Sequence, residues 1–124
     1  MNNSILLIDD DPEDHEIFEF ALEMAIPDAV CEHSFNCQDA VDKIKKGNCP
    51  MPGNIFLDVN MPQMELPKCL FSIHEALGDR AAEIIILTGF RIADLPEQSA
   101  MKVISKPNTV ELLAQRILEM VVIR

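Results

Sequence analysis

Residues 4–14 read SILLIDDDPED: an apolar run, Ile5 to Ile8, passes without a break into Asp9, Asp10 and Asp11. A short continuous Ile/Leu run ending in polar residues is the pattern of a strand buried on both faces, as in a parallel sheet. Asn54 to Leu57 and Glu83 to Leu87 repeat it. Ala29 to Phe35, which carries Glu32 and His33, and Met101 to Ser105 supply two further strands. Helical spacing fills the intervals, with apolar faces predicted at Ile17, Phe20, Ala21 and Met24, at Val41 and Ile44, at Leu70, Ile73 and Leu77, and at Leu113, Ile117, Met120 and Val121. Pro27, Gly47 and Gly78 stand where the first three helices should stop. Strands alternating with helices imply right-handed crossovers and a doubly wound α/β fold with helices on both faces of a five-stranded parallel sheet.

The chain has 124 residues, of which 48% are hydrophobic, enough for one domain with a real core and too few for two ordinary ones. One unit spanning residues 1–124, with no output domain, is the expected organisation. Ten basic against 21 acidic residues leave a net charge of −11. With the acids spread along the chain, direct binding to nucleic acid is not expected. Cys31, Cys37, Cys49 and Cys69 form no C-x-x-C pair and have no zinc-type histidine spacing, so they read as small packing residues and a reducing cytoplasm is expected. No apolar run approaches the roughly 20 residues that cross a bilayer.

In an open parallel sheet the ligand site lies beyond the carboxyl ends of the strands. The first strand ends in Asp9, Asp10 and Asp11, the third in Asp58 (IFLDVNMP), the fourth in Thr88 (IIILTG) and the fifth in Lys106 (VISKP). Carboxylates from two strands meeting at one rim repel unless a cation lies between them. Mg²⁺ is the natural candidate, because it takes oxygen ligands and keeps several waters. A carboxylate can also attack phosphorus while a metal and a lysine neutralise the transferred charge, roles that suit Asp58 and Lys106. Asp11 has a plainer use, capping the first helix beside Pro12. His15, His33 and His74 have no ligand spacing and read as satisfied or solvated, His74 on the apolar side of the third helix.

These residues together resemble the receiver domains of two-component response regulators, of the stand-alone, chemotaxis-regulator type, over essentially the whole chain. The resemblance is carried by Asp9 and Asp10 after an apolar strand, Asp58 followed by Met61-Pro62, Thr88 after the fourth strand, and Lys106-Pro107 after the fifth. It implies strand order 2-1-3-4-5. It also implies that Asp58 is the phosphoacceptor, that Asp10, Asp58 and the Asn60 carbonyl bind Mg²⁺ directly with Asp9 acting through water, and that Thr88 and Lys106 hold the phosphoryl oxygens. Lys106-Pro107 would be a cis peptide. The donor would be a phosphohistidine on a sensor histidine kinase or phosphotransfer protein, and the output contact with an unidentified downstream protein, by a monomer or a phosphorylation-dependent homodimer.

Three departures stand out, and two further positions bear on phosphate lifetime. Where the family carries Tyr or Phe three residues before the lysine, this chain has Val103, so no aromatic ring can swing there. Glu65-Leu66-Pro67 replaces the usual turn before the third helix, with Pro67 suited to a first helical turn. The interval from Thr88 to Lys106 is short and holds Pro96, which implies a stunted fourth helix. Phe90 and Asn60 flank the expected route of hydrolytic water, where a bulky Phe90 would exclude it and lengthen the life of an aspartyl phosphate.

Rival functions are weaker. Mg²⁺ phosphohydrolases with an aspartate nucleophile need a second acid two residues on, where Asn60 stands. A flavin carrier needs a glycine- and hydroxyl-rich phosphate loop, and usually rings about the flavin, whereas the first loop is acidic and the chain has no Trp or Tyr. A degenerate receiver acting as a phosphorylation-independent binding module is the remaining alternative. No metabolic enzyme activity is expected.

Overall fold

The structure, a computed structural model, describes residues 3–47, 51–59, 65–89 and 102–121. In chain order it contains β1 (Ser4–Ile8), α1 (Pro12–Ala25), β2 (Val30–Ser34), α2 (Cys37–Lys46), β3 (Asn54–Asp58), α3 (Leu66–Leu77), β4 (Glu83–Thr88), β5 (Lys102–Ser105) and α4 (Val110–Met120). The strands pair in parallel in the order β2-β1-β3-β4-β5. All five predicted strands are present within a residue or two of their expected bounds.

Side chains alternate across each strand, so each apolar run supplies two cores. Leu6, Ile8, Ile55, Leu57, Ile84 and Ile86 face α2 and α3. Ile5, Leu7, Phe56, Ile85, Leu87 and Ile104 face α1 and α4. Burial on both faces is why these runs show no polar alternation. β2 is the exception, with an exposed or half-buried pattern up to Ser34, because it lies at the sheet edge.

Local chemistry sets the helix ends. The Asp11 carboxylate accepts from the Glu13 amide at 2.9 Å with Pro12 opening the first turn of α1, as expected. Asn36 accepts from Asp39 N at 2.7 Å to cap α2, and Thr109 from Leu112 N at 3.1 Å to cap α4. Gly47 ends α2 at φ 68°, a left-handed conformation that costs glycine little.

Four expectations fail. Ile17, Phe20 and Met24 are 46%, 62% and 50% exposed; of the expected face Ala21 alone is buried, and α1 turns His15, Phe18 and Leu22 inward with it. Both sets satisfy helical spacing, and the sheet and α4 together choose the second. His74 is exposed, because α3 turns Leu70, Ile73 and Leu77 inward and the next position falls off that face. No cis peptide occurs among the described residues, so Lys106-Pro107 is trans, the form an X-Pro bond favours by about 0.5–1 kcal/mol. Finally, Cys37 and Cys69 form a disulfide between the first turns of α2 and α3, with Cα atoms 6.0 Å apart. A separation of 32 residues hides that pairing from any sequence motif. The stunted fourth helix expected around Pro96 lies outside the described residues, as does Cys49.

Candidate functional site

Two strand ends, of β3 and β4, and two strand exits, from β1 and β5, converge on the carboxyl rim of the sheet. β1 and β3 are neighbours, so Asp9 leaves β1 beside Asp58 at the end of β3. Backbone hydrogen bonds hold the rim: Asp9 N donates to Ser34 O at 3.0 Å, Val59 N to Leu87 O at 3.1 Å, and Lys106 N to Thr88 O at 2.7 Å. The last of these bonds fastens the two expected phosphoryl-binding residues to each other.

Asp9, Asp10 and Asp58 each offer a carboxylate oxygen, all within 4.8 Å of one another. Asp9 and Asp58 are 1% and 2% exposed, whereas Asp10 faces solvent. Hard oxygen donors at this spacing fit an octahedral, partly hydrated divalent cation. The Lys106 amine lies 3.3 Å from Asp58 Oδ2 and 3.7 Å from Asp9 Oδ2. Thr88, fully buried, ends the neighbouring strand. Asp9, Asp10, Asp58, Thr88 and Lys106, drawn from positions nearly a hundred residues apart, thus share one rim. Asn60 and Phe90 lie outside the described residues. Val103, half-buried on β5, packs against the α2/α3 core, so position 103 itself supplies no ring.

Burial pushes the Asp9 carboxyl up to about 7 from 3.8, the Asp11 amide and Lys106 opposing and the charges of Asp58 and Asp14 adding to the rise. Burial alone would depress the Lys106 amine, but Asp58, Asp9 and Asp14 outweigh it and hold the amine above the ordinary lysine range. Metal-free protein therefore keeps a proton on Asp9 that the unfolded chain releases near 3.8. That contribution to stability is complete below about pH 4 and is lost as pH rises towards about 7, at up to about 1.4 kcal/mol per pH unit. Urea unfolding of metal-free wild type and Asp9→Asn at about pH 5 and about pH 7.5 isolates it: the wild-type midpoint should fall relative to the variant's as pH rises. Parallel midpoints would contradict the raised carboxyl.

Two residues that the sequence did not place at the rim also reach it. Asp14, in the first turn of α1, accepts a hydrogen bond from Lys106 at 3.2 Å. No local pattern could have shown this, since the partner lies 92 residues away. His15, 5% exposed, has Nε2 2.7 Å from the Asp9 carbonyl oxygen and Nδ1 2.6 Å from His33 Nδ1. His33 Nε2 in turn lies 3.4 Å from Glu19. The histidines are satisfied, as expected, but one of them braces the loop that carries Asp9 and Asp10.

The model of the family described as response regulator receiver domain matches residues 5–118. No curated protein matches the chain. Among solved structures, the response regulator RPA3017 in red light signaling of R. palustris is similar with a TM-score of 0.79 at 19% identity, over 94% of this chain and 90% of that one. The response regulator TrrA from Thermotoga maritima, solved in complex with Mg²⁺-BeF, gives 0.71 at 22%, over 98% and 100%. The CheX-CheY-BeF3-Mg complex from Borrelia burgdorferi gives 0.67 at 21%, over 94% and 87%. At these identities the likeness concerns the fold.

Proposed function

Because the chain belongs to the response regulator receiver family, we propose that it accepts a phosphoryl group on Asp58 from a phosphohistidine donor, with Mg²⁺ as cofactor, and signals by contact with another protein. The observation that carries this reading is the Lys106 amine 3.3 Å from Asp58, at a rim where Asp9, Asp10 and Asp58 gather within 4.8 Å. Asp10, Asp58 and the Asn60 carbonyl would hold the metal, with Asp9 acting through water. Bound there, Mg²⁺ supplies positive charge to the incoming phosphoryl oxygens.

Asp58 is the nucleophile: one carboxylate oxygen attacks phosphorus and the histidine nitrogen leaves with its bonding pair. The Lys106 ammonium and the Thr88 hydroxyl take up charge on the phosphoryl oxygens, and the near-complete burial of Asp58 limits competing water. Mg²⁺-BeF on TrrA and the CheX-CheY complex support the cofactor and the protein contact by likeness. On this chain, the exposed stripe Ile17, Phe20 and Met24 on α1, the helix that starts at the rim, offers apolar area to a protein donor. A receiver of this kind modifies only itself, so no metabolic turnover is expected.

Mg²⁺ with beryllofluoride tests the reading. Wild type should show a metal-dependent change in amide NMR spectra at the β1, β3 and β5 ends, and Asp58→Ala should show none. The same change in the variant would overturn it in favour of a phosphorylation-independent binding module.

A further inference from the structure

The Lys106 amine does not belong to Asp58 alone. It lies 3.2 Å from Asp14 Oδ2, 3.3 Å from Asp58 Oδ2 and 3.7 Å from Asp9 Oδ2. An ammonium has three donors, and three carboxylates surround this one. Asp9 and Asp58 are buried beneath it, while the Asp14 side chain, 36% exposed, approaches from the outer side of the rim on α1. Asp14 and Lys106 are 92 residues apart, so the contact exists only in the folded chain.

We propose that Asp14 is a positioning residue for phosphoryl transfer, drawing the Lys106 amine outward and competing for it with the phosphoryl group arriving at Asp58. The inference rests on the phosphoacceptor reading above and deepens it. In the free protein the ammonium is shared between the outer carboxylate and the nucleophile. When the phosphoryl group arrives, its oxygens need the same amine, and the hydrogen bond to Asp14 must lengthen or break first. That competition slows uptake, and it weakens when the carboxylate becomes an amide of the same shape, whose neutral oxygen is a poorer acceptor for an ammonium.

The test uses phosphoramidate, so that no protein docking enters. Asp58 attacks phosphorus, the P–N bond breaks, and the nitrogen leaves as ammonia carrying its proton. With saturating Mg²⁺, Asp14→Asn should take up phosphate roughly threefold to tenfold faster than wild type, and Asp14→Glu, which restores the charge, should return most of the way to the wild-type rate. The decisive readout is a double-mutant cycle. In a Lys106→Ala background, Asp14→Asn should change the rate by less than about twofold, because the amine through which Asp14 acts is gone. Equal rates for wild type and Asp14→Asn would overturn this inference alone. So would an equal acceleration in both backgrounds, which would reduce Asp14 to general surface charge. A wild-type chain that gains no phosphoryl group would overturn the phosphoacceptor reading and this inference with it.

Discussion

Lys106→Ala is expected to slow phosphoryl uptake from a small phosphodonor by about 10²- to 10³-fold, the usual cost of deleting one preorganised charge-stabilising donor. The effect should be this large because, among the described ion pairs, Lys106 is the base joined to Asp9, Asp14 and Asp58. The substitution also removes the charge that restrains the Asp9 carboxyl, so that group should rise above about 7 and bind its proton more tightly. Mg²⁺ must then displace that proton, a cost that opposes the relief of removing a neighbouring cation from the metal site. Single-turnover uptake together with Mg²⁺ titration measures both. Unchanged uptake would remove Lys106 from the chemistry and leave it a surface ion-pair residue.

Phe56→Ala is expected to cost about 3–5 kcal/mol of stability, the range for emptying an aromatic site in a packed core. Phe56 lies at the middle of the central strand β3, is 0% exposed, and meets Phe18 edge-on with ring centroids 4.9 Å apart. Its ring is shared between the sheet and α1, so neighbouring side chains cannot close the void without moving a helix that begins at the rim. A domain of this size has about 5–15 kcal/mol in all, so the variant should approach half-unfolding under mild conditions. Phe56→Leu, which keeps most of the volume, should cost far less. Urea midpoints of the three proteins decide the matter, and a loss under about 1 kcal/mol for the alanine variant would mean that the site collapses freely.

The strands and the rim were legible for the same reason. A strand buried on both faces must be apolar throughout, so ILLI, NIFL and EIIIL mark themselves, and the first polar residue after each run stands at the carboxyl edge where ligands bind. Asp9, Asp10, Asp58, Thr88 and Lys106 could therefore be named together. The face of α1 was not legible. Ile17, Phe20 and Met24 share a helical stripe with Ala21 as well as Phe18 and Leu22 do, and only packing against α4 and the sheet distinguishes them. On α3, by contrast, Leu70, Ile73 and Leu77 had no competing stripe, and the reading of that face held for all three.

By itself, then, the amino-acid order determined which segments are strands, where α1 and α2 are capped, and which functional groups stand at the ligand-binding edge, because each of these depends on hydropathy period and chemistry within a few residues. Only the tertiary structure decided that Asp14 shares Lys106, that His15 braces the Asp9 carbonyl, and that Cys37 meets Cys69. Those partners lie on different elements, and their meeting depends on the order of strands and the rotation of each helix about its own axis. No local pattern encodes that rotation, since it is set by the summed packing of both layers against the sheet.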